Sequence, residues 1–280
     1  MLFKNIGLAV TFSPTGKALF AQAIRLAKLF DAKLTLITIG NKENESDVLL
    51  NELFSANEIN RNNVKTIHES GEPARTIISI CEKERVDLLI AGALEKEKLI
   101  KYYVGSVARK LMRNSPCSLL ICVNPKIPPK HFENICVSVN YEAEEDITAN
   151  IACQLAKLEQ AKKLNFIREY QVPGLSMTVT DSGSISEIDE LKNQWQKEEE
   201  EKLSLYISEL NLQNFPITPV CLYGKQGWQI SKYAESIDAD LLIITAKKKK
   251  LKFVDRIFQH DLEYIFEELP CNLLILRGND

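Results

Sequence analysis

The chain has 280 residues, 45% of them hydrophobic and 26% charged, and a formal net charge of −3 at pH 7. This composition is that of an ordinary globular protein, and the length suffices for two domains with separate cores. The small net charge excludes a strong general attraction to nucleic acid or to an anionic membrane surface. The longest apolar runs, such as 88–94, reach about seven residues, far short of the roughly 20 in a membrane helix.

The N-terminus and the cysteines indicate a cytoplasmic protein. The opening MLFKNIGLAV runs directly into a strand-like segment, without the charged start, apolar centre and cleavage site of a signal peptide. The cysteines are odd in number and widely spaced, which is typical of reduced, buried thiols: Cys81, Cys117, Cys122, Cys136, Cys153, Cys221 and Cys271. None of the three histidines lies at metal-ligand spacing from another, so we expect no metal site.

Four segments of the first half recur in the same order in the second half. They are FKNIGLAV at 3–10 with FENICVSV at 132–139, LAKLFDAK at 26–33 with LAKLEQAK at 155–162, DLLIAGA at 87–93 with DLLIITA at 240–246, and PCSLLI at 116–121 with PCNLLI at 270–275. Ordered matches of this kind predict two homologous domains, 1–125 and 131–280. The offset grows from 129 to 153 and 154, which places about 24 extra residues of the second domain around 171–203.

Strand-like and helix-like patterns alternate along the first copy. Strands are predicted at 4–11, 33–40, 64–70, 87–93 and 118–123, and helices at 13–30, 45–60, 74–83 and 103–113. The almost wholly apolar run at 87–93 is typical of a central parallel strand covered on both faces. This alternation predicts an α/β fold with two tandem five-stranded, mostly parallel sheets, each with helices on both faces.

The second copy follows the same order, with its extra residues between the second strand and Gly224. We expect a mobile loop containing Ser182-Gly183-Ser184, followed by a long charged helix with the sequence EIDELKNQWQKEEEEKLSLYI. In both copies an aspartate, Asp87 or Asp240, precedes the fourth strand. Its repetition favours a structural role over a catalytic one.

The segment after the fourth strand of the first copy carries the candidate site. Ligands of parallel sheets bind outside the C-terminal ends of the strands, where helix N-termini present free N–H groups. Gly92 ends this strand, Gly105 permits close backbone approach, and Ser106 is placed to cap the following helix or bond a phosphate. The simpler alternative is a loop glycine followed by an ordinary helix cap.

The run GEPARTIISICEKERVDLLIAGA, continued by VGSVARKLMRNSPCSLLICV, resembles the C-terminal half of a universal stress protein domain. Because the pattern recurs, nearly the whole chain resembles a tandem member of that family, which implies a Rossmann-like fold of the HUP type. Nucleotide-binding members of the family carry Gly, two residues, Gly, nine residues and then Gly-Ser or Gly-Thr. Gly92, position 95 and Gly105-Ser106 keep that register here, but position 95 is Glu95.

The resemblance implies an adenine nucleotide, ATP or AMP, in the first copy. The residues implied for the adenine end are Ala9, Thr11 and Ile39, and those for the phosphates are Gly92, Gly105, Ser106 and Val107. Thr11 stands where nucleotide-binding members have an aspartate, and Glu95 brings a negative charge towards the phosphates. At short range such a charge costs on the order of 1 kcal/mol.

The second copy has lost this binding pattern. Thr245 replaces the first glycine, Gln259-His260 replaces Gly105-Ser106, and the loop between them contains Lys247-Lys248-Lys249-Lys250. These lysines either capture an anion by charge or form a solvated run at a loop tip. The second interpretation is favoured, because blocks of like charge are usually exposed.

The leading hypothesis is a non-enzymatic stress-response regulator that binds a nucleotide in its first copy. The sequence contains no Walker-type or dinucleotide motif, and no histidine is tied to Ser13 by a local pattern. A nucleotide-hydrolysing or nucleotidyl-transferring enzyme on the same fold is the first alternative. A ligand-free scaffold that docks a protein partner is the second.

Universal stress proteins commonly pair the last strand of one domain with that of another. The strands SLLICV and NLLIL would be exposed edges if each domain stood alone, and such edges are usually covered. We therefore expect 119–123 to lie beside 272–276 in an internal pseudo-dimer. The side chains expected to be buried there are Leu120, Cys122, Leu274 and Leu276. A homodimer of the whole chain is compatible with this arrangement.

Overall fold

The computed structural model describes residues 2–10, 15–40, 54, 64–95, 102–172, 185–210, 215–246, 265 and 268–277. Several sequence-based expectations fall outside these residues: Thr11, Ser13, most of the helix at 45–60, the loop around Ser182-Gly183-Ser184, the lysines at 247–250 and Gln259-His260.

The first half alternates strands and helices as predicted. Its elements are β1 (Asn5–Ala9), α1 (Gly16–Phe30), β2 (Lys33–Ile39), β3 (Lys65–Glu69), α2 (Pro73–Glu84), β4 (Leu88–Gly92), β5 (Leu94–Glu95), β6 (Tyr102–Tyr103), α3 (Ser106–Asn114) and β7 (Ser118–Cys122). α1 buries most of its apolar side chains and ends at Asp31, whose left-handed φ of 53° turns the chain into β2.

The second half repeats this order and contains one long additional helix. Its elements are β8 (Asn134–Ser138), α4 (Ala143–Glu159), β9 (Lys163–Tyr170), α5 (Ile185–Glu209), β10 (Ile217–Tyr223), α6 (Trp228–Ser236), β11 (Leu241–Ala246) and β12 (Asn272–Arg277). α4 ends at Gln160 with a φ of 54°, which repeats the left-handed turn at the end of α1. The long charged helix predicted from the sequence is α5, with 25 residues.

All described strands except β5 and β6 form one ten-stranded sheet, in the order β10-β9-β8-β11-β12-β7-β4-β1-β2-β3. Neighbouring strands are parallel within each half, and the halves meet where β7 and β12 pair antiparallel. The expectation of two separate sheets is therefore wrong, because the last strand of each half completes the open edge of the other. The predicted α/β class, with mostly parallel strands and helices on both faces, is confirmed.

The register of β7 with β12 buries the apolar side chains of both strands. Leu120 lies opposite Leu274 at the centre of the pair, within the two segments that were predicted to lie side by side. The adjoining pairs are Ile121 with Leu273 and Leu119 with Ile275. All six side chains are at most 3% exposed, so each strand covers an edge that would otherwise face water.

A side chain of the opposite strand satisfies a backbone N–H at each end of this junction. At one end Val123 N donates to Asn272 Oδ1 at 2.9 Å. At the other end Arg277 N donates to Ser118 Oγ at 3.2 Å. The two halves are thus related by an approximate two-fold axis, with different residues in equivalent roles.

Helices cover both faces of the continuous sheet. α1, α4 and α5 pack on one face, and α2, α3 and α6 pack on the other. Each apolar layer includes residues of both halves: Phe20 and Phe166 lie in the first layer, and Ile80 and Leu242 lie in the second. Hydrophobic burial therefore extends across the junction instead of ending at each half.

A buried ion pair joins a helix of the first half to a helix of the second. Arg25 on α1 donates from Nη1 and Nη2 to the two carboxylate oxygens of Glu159 on α4, at 2.7 and 2.8 Å. The Glu159 side chain is fully buried, and the Arg25 guanidinium lies 5.4 Å from the centroid of the Phe132 ring. Loss of either partner would leave a buried charge unpaired, which is strongly destabilising.

The paired aspartates before the fourth strands hold the starts of other strands. Asp87 accepts hydrogen bonds from Lys4 N at 2.7 Å and Asn5 N at 3.1 Å, at the beginning of β1. Asp240 accepts from two successive backbone N–H groups at the beginning of β8, at 3.0 and 2.9 Å. The structural role predicted from their repetition is confirmed by these contacts.

All seven cysteines are free thiols, and six of them are buried. Burial raises the pKa of Cys122 and of Cys136 to about 12. At neutral pH both side chains are therefore protonated and act as small apolar core residues.

We expect Leu120→Asp to destabilise the chain by roughly 3–5 kcal/mol, because the carboxylate would be buried without a partner at the centre of the junction. Urea unfolding of the full chain measures this change. Ile147→Asp is the control, since Ile147 on α4 is 54% exposed; its expected cost is within about 0.5 kcal/mol. If Leu120→Asp were as mild as the control, the pairing of β7 with β12 would be wrong.

Candidate functional site

The candidate site lies at the C-terminal edge of the first half. β1 ends at Ala9, β2 at Ile39 and β4 at Gly92. Since β1 is parallel to both neighbours, these three ends lie at the same edge of the sheet. This is the edge at which parallel sheets of this kind bind ligands.

An apolar layer lies beneath this edge. Ala9 and Val104 are buried in it, and the half-buried side chains of Ile39 and Val107 pack against it. Of the residues implied for the ligand, Ala9, Ile39 and Val107 therefore belong to the same apolar layer. Thr11 falls outside the described residues.

The start of α3 lacks a side-chain cap. Gly105 is the N-cap residue, with φ −66° and ψ 169°, and no side chain bonds to the first-turn N–H groups. The expectation that Ser106 caps the helix is wrong, because Ser106 is already the first helical residue and is exposed. Arg109 Nε donates to Val104 O at 2.9 Å and fixes the chain that leads into the helix.

The segment after Gly92 contains a small hairpin that the sequence analysis did not predict. Leu94 lies opposite Tyr103, and Glu95 lies opposite Tyr102, in the antiparallel pair of β5 with β6. Ala93 N donates to Cys122 O at 2.8 Å, which ties the base of the hairpin to β7. The backbone at position 95 is therefore held by strand pairing. The adjacent residues Tyr102 and Tyr103 could have indicated the strand β6, because aromatic residues favour strands.

The neighbouring helix α2 is capped by a carboxylate of its own. Glu72 Oε2 accepts from Arg75 N at 2.9 Å, and Glu72 Oε1 accepts from Lys110 Nζ on α3 at 2.8 Å. The hydrogen bonds from Lys110 and then Arg75 lower the pKa of the Glu72 carboxyl. Of these two helices, α3 is thus the one whose N-terminus lacks a side-chain cap.

At the corresponding edge of the second half, Thr245 stands where the first half has Gly92. Thr245 Oγ1 lies 2.8 Å from Thr148 Oγ1 on α4, so the two hydroxyls share a hydrogen bond. The side chain that replaces the glycine is thus bound to the adjacent helix. A backbone approach like that at Gly92 is blocked by this pair.

Glu169, near the end of β9, occupies the position that Ile39 has in the first half. Its carboxylate accepts hydrogen bonds from Gly227 N and Ile230 N, both at 2.8 Å, at the start of α6. Glu169 is only 6% exposed. A helix N-terminus stabilises such a buried carboxylate through its N–H groups and its dipole, so this anion site is already filled.

A second network fixes α5 over the same edge. Arg168 on β9 donates to Glu199 Oε2 at 3.1 Å and to Asn140 Oδ1 at 2.7 Å. Lys202 Nζ donates to Glu199 Oε1 at 3.0 Å, and the Arg168 guanidinium lies 4.9 Å from the centroid of the Tyr141 ring. Asn140 stands at the position of Thr11. The side chains of Arg168, Glu199 and Asn140 therefore bind one another at the end of β9.

The sequence analysis missed these internal contacts. Arg168 and Glu169 interrupt the otherwise apolar part of the strand LNFIREY. Charged residues in a buried strand require partners, so the presence of Arg168 and Glu169 could have indicated that this strand forms internal ion pairs or hydrogen bonds. Which partners they bind could not be read from the sequence, since Glu169 and Gly227 are 58 residues apart.

Two further properties of the described residues bear on function. No helix in this part of the chain is long and apolar enough to cross a membrane. Within the same residues, no group of three or more His, Cys, Asp or Glu side chains is placed to hold a metal ion.

We expect Glu199→Gln to destabilise the chain at pH 7 by about 1–2 kcal/mol, because it weakens the bonds from Arg168 and Lys202. Burial raises the pKa of Glu199, but hydrogen bonds from Lys202 and Arg168 outweigh it and hold the pKa below 4.5. The charge therefore stabilises the fold above that pH, and the difference from the wild type should shrink as the pH falls below it.

Urea unfolding between pH 3 and pH 7 measures this dependence. Glu201→Gln is the matched control, since Glu201 lies on the same helix and is exposed. Equal effects of the two substitutions at pH 7 would contradict a role of the Glu199 network in holding α5.

The comparisons with known proteins agree with this architecture. Residues 40–123 match the sequence model of the universal stress protein family. A universal stress protein of Methanocaldococcus jannaschii is 28% identical over 146 residues, which cover 45% of this chain and 85% of that protein. The curated relative thus corresponds to about one half of this chain.

Two solved structures match nearly the whole chain. A universal stress protein from Archaeoglobus fulgidus DSM 4304 has a TM-score of 0.63 at 15% identity, with 98% of both chains covered. A functionally unknown protein from Pseudomonas aeruginosa PAO1 has a TM-score of 0.67 at 18% identity, with 99% of this chain and 93% of that chain covered. At such identities the likeness shows the fold. Taken with the match of residues 40–123 and the repeated half, it makes this chain similar in sequence and fold to universal stress proteins.

Proposed function

We propose that this chain is a non-enzymatic regulator of the stress response whose first half binds an adenine nucleotide, ATP or AMP. The observation that carries the proposal is the start of α3. Gly105 leads into this helix without a side chain, and the first-turn N–H groups have no side-chain cap. Such a helix start attracts phosphate through its free N–H groups and its dipole.

The apolar layer next to α3 suits the base of the nucleotide. Ala9, Ile39 and Val107 contact this layer, and Ala9 is small enough to leave room at the end of β1. Nucleotide sites combine apolar walls for the base with a few polar groups that fix its orientation. The first half offers both within one edge of the sheet.

The nucleotide is assigned to the first half because the second lacks both glycine positions: Thr245 replaces Gly92, and Gln259-His260 replaces Gly105-Ser106. The Glu169 carboxylate already binds the N–H groups at the start of α6. The start of α6, which corresponds to α2 and not to α3, is therefore no open anion site. Thr245, bound to Thr148, fills the position of Gly92.

The affinity of the first half is expected to be weak. Glu95 adds a negative charge near the proposed phosphate position, and Thr11 offers a hydroxyl where a carboxylate would bind the ribose more strongly. Because the sequence has no GxGxxG or GK[ST] motif, we assign the nucleotide a signalling role and not a chemical one.

We expect Gly105→Val to reduce ATP and AMP affinity by at least about tenfold, because a branched side chain would stand between the phosphates and the N–H groups of α3. Isothermal titration of the full chain measures the affinity, and circular dichroism checks the fold. Ser208→Ala, on the exposed side of α5, is the control. Unchanged affinity in a folded Gly105→Val protein would contradict the proposed phosphate position. Conversion of ATP that disappears in this variant would favour the enzyme alternative.

Glu95→Gly should strengthen nucleotide binding about fivefold, since it removes a repulsion of on the order of 1 kcal/mol. Glu95→Gln separates the charge from the bulk of the side chain. If charge is the obstacle, both variants should bind more tightly than the wild type in the same titration. Equal or weaker binding by both would show that position 95 does not approach the phosphates.

A further inference from the structure

A cavity of about 430 Å³ lies at one end of the junction between the two halves. The segment at 123–132, which links β7 to β8, covers it on one side, and the turn before β11 bounds it on the other. Gln22 of α1 and Asn272 at the start of β12 also line it. None of the residues proposed for the nucleotide does, so this cavity is a separate feature of the fold.

Gln22 lines this cavity and carries a side-chain amide. The residue is only 6% exposed, and its Oε1 lies 3.5 Å from Arg25 Nε. Its amide nitrogen has no hydrogen-bond acceptor among the residues that the structure describes. This amide is therefore a donor available to a ligand in the cavity.

The covering segment contributes positive charge. Lys130 is exposed and forms no hydrogen bond or ion pair within the described part of the chain. Lys126 lines the same wall, and its Nζ donates to Asn124 Oδ1 at 2.8 Å. The Nδ1 atom of His131 lies 2.9 Å from Glu159 Oε2, which fixes the ring next to the cavity.

The opposite wall contributes negative charge. Asp240 lines the cavity, and its Oδ2 accepts the two N–H groups at the start of β8. Asp238 is exposed and has no partner among the described residues; its φ of 50° directs the tight turn between α6 and β11. The cavity therefore has a cationic wall, an anionic wall and a buried amide donor.

The equivalent end of the junction is closed by an arginine. Arg277 stands there in the position of Val123, and its Nη2 donates to Met112 O at 2.6 Å. Val123 has no polar side chain to fill the corresponding space. The two ends of the junction therefore carry different side chains at equivalent positions.

We propose that this cavity binds a small zwitterion of the free amino-acid type. The ligand carboxylate accepts a hydrogen bond from the Gln22 amide and pairs with Lys130, and the ligand ammonium pairs with Asp238. A molecule that carries both charges satisfies both walls, whereas a simple anion or cation meets one wall of like charge. The volume is within the range of small-molecule sites.

The test is a thermal-shift screen of the full chain with each standard free L-amino acid, followed by calorimetric titration of the strongest binder. That amino acid is then compared with its N-acetyl form, which lacks the ammonium, and with its amide, which lacks the carboxylate. We expect at least one amino acid to raise the melting temperature and both blocked forms to bind at least about tenfold more weakly.

Substitutions link this binding to the cavity. Gln22→Met keeps the side-chain volume but removes the donor, and Asp238→Asn keeps a residue that tolerates positive φ but removes the charge. Both should weaken binding about tenfold. The matched controls are Asp31→Asn, at a similar left-handed turn after α1, and Lys33→Gln, at the exposed start of β2; both should bind normally.

Three results would overturn the proposal. The first is a screen in which no amino acid stabilises the protein. The second is an N-acetyl form that binds as tightly as the free amino acid, which would indicate an anion site instead. The third is unchanged binding in folded Gln22→Met and Asp238→Asn proteins. Because no nucleotide is present in these experiments, their outcome is independent of the adenine site.

Discussion

The antiparallel pairing of β7 with β12 is the contact on which the rest of the structure depends. It buries Leu120 against Leu274 and turns two five-stranded halves, each with an open edge, into one sheet. Because both edges belong to one chain, they meet at a high effective concentration. The helices then pack in layers that cross the junction, and Arg25 reaches Glu159 on the opposite half. The ion pair and the continuous apolar layers require this strand pairing.

The two halves differ at the C-terminal edges of their strands. In the first half, the small residues Ala9 and Gly92 end their strands, and α3 starts without a side-chain cap. In the second half, Glu169 binds the start of α6, and the network of Arg168 with Glu199 holds α5 in place. A buried carboxylate is stable only when its acceptor sites are satisfied, so these internal contacts serve the fold and leave no open anion site at α6.

The two ends of the junction differ for a related reason. A tandem chain has one connecting segment, and that segment can cross the approximate two-fold axis at one end alone. At that end it covers the cavity beside Gln22, and at the other Arg277 fills the equivalent space. Fusion of two similar domains thus produces a local environment that neither domain has by itself.

The sequence alone determined the element order, the α/β class and the identity of the junction strands. The element order and the class follow from periodicity and from repeats such as PCSLLI with PCNLLI, which are local properties of the chain, whereas the junction strands were implied by the resemblance to universal stress proteins. It also indicated the glycine positions of the candidate site, although the cap of α3 proved to be Gly105 and not Ser106. The tertiary structure alone decided that the two sheets merge, that Glu95 pairs with Tyr102 and that Glu169 reaches Gly227. These contacts depend on which distant segments meet and in what register, and neither composition nor local spacing specifies that.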